Sequence, residues 1–203
     1  PAGGTSKQLP LPDNESSYIF SASHYLQDIY ITSNAWTHAG KDQTYNHSTG
    51  TFQELNLEPP GEFDDPGWLK SERILVKSHD GVEVPLSLIY RKGLKMDGKN
   101  PTLLSGYGSY GSVSGVGYYT SRLPWLEKGG IYAIAHIRGG GEFGKQWHLA
   151  GRMQNKPNTW KDFIACAEYL IEKNYTSTGY LAGQGGSAGG ITIGRAITER
   201  PDL

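Results

Sequence analysis

The chain has 203 residues, 36% of them hydrophobic, with 19 Lys and Arg against 20 Asp and Glu for a formal net charge of -1. Enough apolar material is present for a sizeable core, and the basic residues are scattered singly, so there is no stripe to neutralise phosphates and nucleic acid is not an expected partner. No apolar run reaches the roughly 20 residues of a membrane span, and the single cysteine, Cys166, leaves no internal disulfide, so the composition is that of a soluble chain that suits either the cytoplasm or the periplasm.

The start, Pro1 to Gly4, has neither the basic nor the apolar region of a signal peptide. That start and the Pro201-Asp202-Leu203 ending read as cut points, so a piece of a longer chain is expected. Residues 18 to 58 alternate Tyr, Ile, Thr and Phe with polar turns, which predicts short strands at 18–21, 28–32, 43–45 and 52–55, with a tight turn at Ser48-Thr49-Gly50. Four strands in about forty residues match the size of one propeller blade. The breakers Pro59-Pro60-Gly61 and Asp64-Asp65-Pro66-Gly67 then place a boundary, giving segments 1–65 and 66–203.

Beyond it, residues 73–77 and 82–90 flank an Asp80-Gly81 turn and predict a hairpin. Short, nearly continuous apolar stretches at 102–104 and 131–135 suit strands buried on both faces of a parallel sheet. A helix over 121–128 is expected between them. Trp160, Phe163, Ile164, Ala167, Leu170 and Ile171 recur at helical spacing after Asn158-Thr159, a polar start suited to capping, and Asn174 suits the stop. Cys166 falls within this helix as a buried thiol. A strand at 180–182 and a helix from Ala188 to Glu199 complete an α/β order.

Gly185-Gly186-Ser187-Ala188-Gly189 places a serine between glycines where a strand meets a helix. In that context Gly-X-Ser-X-Gly forms a nucleophile elbow: the turn is sharp, the serine backbone strained, and neighbouring positions cannot carry a bulky Cβ. The following helix directs free amides, notably that of Ala188, toward a developing oxyanion. No Gly-Lys-Ser/Thr follows, which excludes a Walker loop.

Gly106-Tyr107-Gly108-Ser109-Tyr110-Gly111 also fits the dinucleotide fingerprint, with Glu127 as the ribose acid, but residues 112–117 have no helical character. A better use is as the facing wall of the oxyanion site, with the Tyr107 phenol as donor. Arg138-Gly139-Gly140-Gly141-Glu142 follows the next strand, and Arg138 and Glu142 are expected to brace the loops by pairing with each other. All six histidines precede Ser187: His24, His38, His47, His79, His136 and His148. His136 reads as a loop-packing residue rather than a base.

Taken in order, GYGSYG, HIRGGGEFG and GGSAGG resemble the prolyl oligopeptidase family of serine peptidases, as do Trp147-His148, residues 155–160 and residues 195–203. The resemblance implies the first part of an α/β-hydrolase domain, incomplete and preceded by the last blade of a β-propeller. It implies Ser187 as nucleophile, the Tyr107 hydroxyl and Ala188 amide as oxyanion donors, Tyr110 as a wall of the substrate site, and Arg138 and Glu142 as loop-bracing residues. It calls for no cofactor and no metal, a short peptide as substrate, and the rest of the catalytic domain and propeller as partners. Members specific for basic residues carry acids shortly after the first loop, and residues 112–117 have none, which favours cleavage after proline. An esterase, an acylaminoacyl or basic-specific peptidase, and a non-catalytic binding domain are the alternatives on this scaffold. With no histidine after Ser187, this chain alone is expected to be inactive.

Overall fold

Cross-strand pairs of hydroxyl and aromatic side chains hold together the first part of the chain. The computed structural model describes residues 9, 16–22, 25 and 28–203, so His24 lies outside the described residues. It divides the chain into two units: residues 1–65 with 116–118, and residues 66–115 with 119–203.

In the first unit, β1 (Ser16–Ser21), β2 (Asp28–Asn34), β3 (Lys41–Asn46) and β4 (Thr51–Glu54) form an antiparallel sheet in which each strand pairs with the next. Residues directly opposite one another make the side-chain contacts that fix the register. Ser17 and Ser33 share a hydrogen bond of 2.8 Å, the Thr32 hydroxyl donates to Asp42 at 2.6 Å, and the Tyr45 and Phe52 rings lie 4.9 Å apart. The β3–β4 turn is held by Asn46, whose side-chain oxygen accepts from the amides of Ser48 and Thr49. Residues 116–118 join this unit through Tyr118, whose hydroxyl donates to the Phe63 carbonyl.

The second unit is an α/β arrangement on a five-stranded sheet. Its elements are β5 (Leu69–Lys77), β6 (Glu83–Arg91), β7 (Thr102–Gly106), α1 (Leu123–Glu127), β8 (Ile131–Ala135), α2 (Lys145–Leu149), α3 (Pro157–Glu172), β9 (Leu181–Gln184) and α4 (Gly189–Glu199). The order across the sheet is β5-β6-β8-β7-β9; β6 is antiparallel to both neighbours, and β7 runs parallel to β8 and β9. Residues 84–90 of β6 are buried without alternation, and β8 is nearly so, as expected of strands covered on both faces. In β7, by contrast, Leu103 and Ser105 are only half-buried while Thr102, Leu104 and Gly106 are buried.

Val84, Leu86, Leu88, Leu104, Ile131, Ala133, Phe163, Cys166 and Leu170 make the core between sheet and helices. Cys166 is fully buried, and that burial pushes its thiol up, away from the reactive thiolate. Beside β9 lies an apolar groove of about 260 Å³, lined among others by Leu181, Ile193, Ala196, Ile197 and Leu203.

The start of α3 differs from the sequence expectation. Asn158 and Thr159 do not cap it; Lys156 is the flanking residue, makes no side-chain cap, and Pro157 opens the helix. Proline at the first position presents no amide in need of a partner and has its φ already set, and the Thr159 amide donates to the Lys156 carbonyl at 3.0 Å. That frees Asn158 to donate to the Ala150 carbonyl and Thr159 to donate to the carbonyls of Arg138 and Gly151. The other end follows expectation: Asn174 adopts φ +58, and the amides of Asn174 and Tyr175 return to the carbonyls of Ile171 and Leu170.

Candidate active site

Position 187 lies in the gap between the end of β9 at Gln184 and the start of α4 at Gly189, and Ser187 is exposed there with φ +52. A non-glycine residue in this region carries backbone strain that the surroundings must hold in place. Two of the motif glycines show how. A Cβ on Gly185 would lie 2.5 Å from the Gly189 carbonyl oxygen, and one on Gly189 would lie 2.8 Å from the Gly106 carbonyl oxygen. Gly186 is different, with open space around an added Cβ, so the steric demand falls on the outer glycines and not on every neighbour of the serine.

The first turn of α4 uses up the amides of Gly189, Gly190 and Ile191, which donate to the carbonyls of Gly186, Ser187 and Ala188. Ala188 is the residue that precedes the helix, where amides point out from its positive end.

The GYGSYG loop comes to the same place. The would-be Gly189 Cβ sits 3.4 Å from both Cα and Cδ2 of Tyr107, and the Thr192 hydroxyl of α4 donates to the Tyr107 carbonyl at 3.3 Å. Tyr107 is half-buried, whereas Tyr110 is 78% exposed and adopts φ +57; their rings lie 6.5 Å apart. No helix follows Gly111 before Thr120, so the loop does not open the helix that a dinucleotide fingerprint requires.

The third loop packs its backbone directly on the second. The Gly111 amide donates to Gly139, the Gly141 amide donates to Ser112, and a Cβ on Gly141 would fall 2.2 Å from the Gly111 carbonyl oxygen. Here the expected pairing of Arg138 with Glu142 is not what forms. Arg138 is buried and makes a two-pronged contact with Asp162, Nη2 to Oδ1 at 2.6 Å and Nε to Oδ2 at 2.9 Å. It makes a second with Asp80, at 2.6 and 3.1 Å. Asp162 is fully buried and also accepts from the Ser78 hydroxyl and the Arg138 amide.

A fork of donors satisfies two carboxylates at once, and Glu142 is left to other partners. Burial opposes the Arg138 charge, but the hydrogen bonds to Asp162 and Asp80 outweigh it and raise its pKa. The same contact with Arg138 holds Asp80 at about 2.

Glu142 accepts from the Ser114 amide at 2.9 Å and lies 3.4 Å from His136 Nδ1. Burial works against its charged form, yet the contacts with His136 and the Ser114 amide prevail and hold its carboxyl below the ordinary value. His136 is itself buried and hydrogen-bonded to Ser87 at 2.8 Å, so it is engaged away from Ser187.

Ser78, Asp80, Asp162 and Lys156 were missed by the sequence reading. The signal for Asp162 was present: it stands one helical turn before Cys166, on the side of α3 that is buried.

Residues 117–203 match the prolyl oligopeptidase family. The prolyl endopeptidase of Elizabethkingia meningoseptica is 38% identical over 197 residues, which cover 97% of this chain and 28% of that protein. A structure from a mechanistic study of two prolyl endopeptidases superposes with a TM-score of 0.88 at 38% identity, covering 98% of this chain and 29% of the other. Oligopeptidase B from Trypanosoma brucei, with covalently bound antipain, gives 0.83 at 32% identity, covering 94% and 28%. The chain therefore spans 28–29% of the length of these three relatives.

Proposed function

Because the chain belongs to the prolyl oligopeptidase family, we propose that it supplies the nucleophile of a serine peptidase that hydrolyses short peptides on the carboxyl side of proline. The observation that carries this is the elbow: an exposed serine at φ +52, held between two crowded glycines, with Tyr107 against the first turn of the following helix. The Ser187 oxygen attacks the scissile carbonyl, forming an ester with the acyl part and expelling the amine, and water then hydrolyses that ester. The Tyr107 hydroxyl and the Ala188 amide hold the negative oxygen of the tetrahedral intermediate. Tyr110, exposed beside Tyr107, forms a wall for the substrate, and Arg138 and Glu142 brace the loops through Asp80, Asp162, His136 and Ser114.

We assign residues 1–65 to the last propeller blade and linker, and 66–203 to the first part of the hydrolase domain. The base and acid that activate Ser187 come from the rest of that domain, since after Ser187 this chain has only Glu199 and Asp202 as acids and no histidine. Both acids are engaged: Glu199 accepts from Trp160 and Arg195, and Asp202 accepts from Arg200. The apolar groove along β9 is where further elements of the domain pack. No cofactor or metal enters the reaction.

A second reading, cleavage after basic residues, is favoured by the likeness to oligopeptidase B. Against it stands Glu142, whose side chain is only 6% exposed and already accepts from the Ser114 amide.

The test compares the full-length protein with the 203-residue chain on chromogenic peptides ending in proline or arginine and on a simple ester. Full-length turnover of the proline peptide, with none from the 203-residue chain, is the expected result. Preference for arginine transfers the assignment to the basic-specific reading, and preference for the ester to an esterase. Activity of the short chain comparable to full length removes the need for an external base.

A further inference from the structure

Lys156 is a half-buried cation whose ammonium donates to a backbone carbonyl and a hydroxyl. It follows the tight turn at Met153–Asn155 and directly precedes Pro157, and its Nζ donates to the Gly108 carbonyl at 2.7 Å and to the Ser109 hydroxyl at 2.9 Å. Burial disfavours the charged ammonium and lowers its pKa. Among the described residues no carboxylate pairs with it, so the two charge-assisted hydrogen bonds must compensate for the lost hydration.

What those bonds hold is the peptide between the two tyrosines of the first loop. Gly108 stands at φ +64, and a Cβ there would lie 2.3 Å from the Thr159 methyl and 2.8 Å from Ile137 Cγ1. The start of α3 thus grips this peptide twice, through the Thr159 side chain against the Gly108 α-carbon and through the Lys156 ammonium on the Gly108 oxygen. Tyr107 is the preceding residue, and its other side rests on the beginning of α4 near Ser187.

We propose that Lys156 is a positioning residue for the Tyr107 hydroxyl: by fixing the Gly108–Ser109 peptide it sets how Tyr107 enters the oxyanion site. This rests on the reading of Ser187 as nucleophile and Tyr107 as oxyanion donor. A residue acting through Tyr107 loses its influence once that hydroxyl is gone, whereas a general packing role does not.

The experiment uses the full-length protein and measures the second-order rate constant for phosphonylation of Ser187 by a fluorophosphonate, together with the thermal midpoint. Removing one oxyanion donor costs on the order of 10²-fold or more, the effect expected of Tyr107→Phe. Lys156→Met is expected to slow labelling about 10-fold in the wild-type background and less than about 2-fold in the Tyr107→Phe background, the non-additivity of residues that act as a unit. Lys156→Arg, which keeps a charged donor, recovers most of the loss.

Labelling of Lys156→Met at the wild-type rate, or an equal loss in both backgrounds, overturns the proposal. Should Lys156→Met fail to fold, Lys156→Gln is read in the same way. A wild-type protein that is not labelled at Ser187 removes the nucleophile reading, and this inference with it; additive losses in a protein that is labelled remove this inference alone.

Discussion

Substituting alanine for Ser187 in the full-length protein is expected to abolish peptide turnover, a loss of about 10⁶-fold in kcat with KM little changed. Size and selectivity both follow from what the side chain does. In the proposed mechanism the serine oxygen forms the acyl bond, so its removal leaves only what oxyanion donors and binding contacts can do with water as attacker. The methyl side chain of alanine occupies no more space than that of serine, so the surrounding loops keep their shape. Steady-state kinetics on a proline-containing peptide provides the measurement, and turnover within about 100-fold of wild type would mean that the chemistry runs through another group. The substitution also leaves the strain at φ +52 in place, because alanine bears the same Cβ.

Arg138→Met is expected to lower stability by about 3–5 kcal/mol, because it strands a carboxylate inside the protein. Asp162 is fully buried and takes two of its hydrogen bonds from the guanidinium, so its charge has no route to water once Arg138 is gone. Asp80 contributes less to this loss, since its side chain is 36% exposed and can rehydrate. Replacing Asp162 by leucine together with Arg138→Met is expected to recover a large part of the deficit, since an apolar pair needs no compensation. Urea unfolding followed by tryptophan fluorescence measures both variants, and a single substitution costing under about 1 kcal/mol would contradict the ionic account.

The same contact has a pH signature. The hydrogen bond from Arg138 lowers the Asp80 pKa from its ordinary 3.8 to about 2, so its stabilisation is present above pH 4 and is lost as pH falls through about 2. In Arg138→Met this acid limb should flatten.

The elbow was legible in the sequence because its determinants are local. Glycines flanking a serine, an apolar strand before and a helical period after lie within about twenty residues, and the same local rules located β8 and the hairpin. Partners of charged side chains are not local in this way. Arg138 had Glu142 four residues on, but its carboxylates lie 24 and 58 positions away, brought in by α3 and by the β5–β6 turn. Lys156 escaped notice for a related reason: a lysine before a proline carries no pattern, and its acceptors are a carbonyl and a serine 48 and 47 positions earlier. The misplaced cap of α3 was different, since Pro157 was a readable start signal that Asn158 and Thr159 obscured.

The left-handed backbone at position 187 also restricts which amino acids can stand there. Threonine offers the same hydroxyl, but its branched Cβ is poorly accommodated at φ +52, where unbranched side chains fare better. Between the two aliphatic alcohols of the genetic code, the geometry of this turn admits serine and disfavours threonine, so the choice of hydroxyl at position 187 is made by the backbone before any chemistry begins.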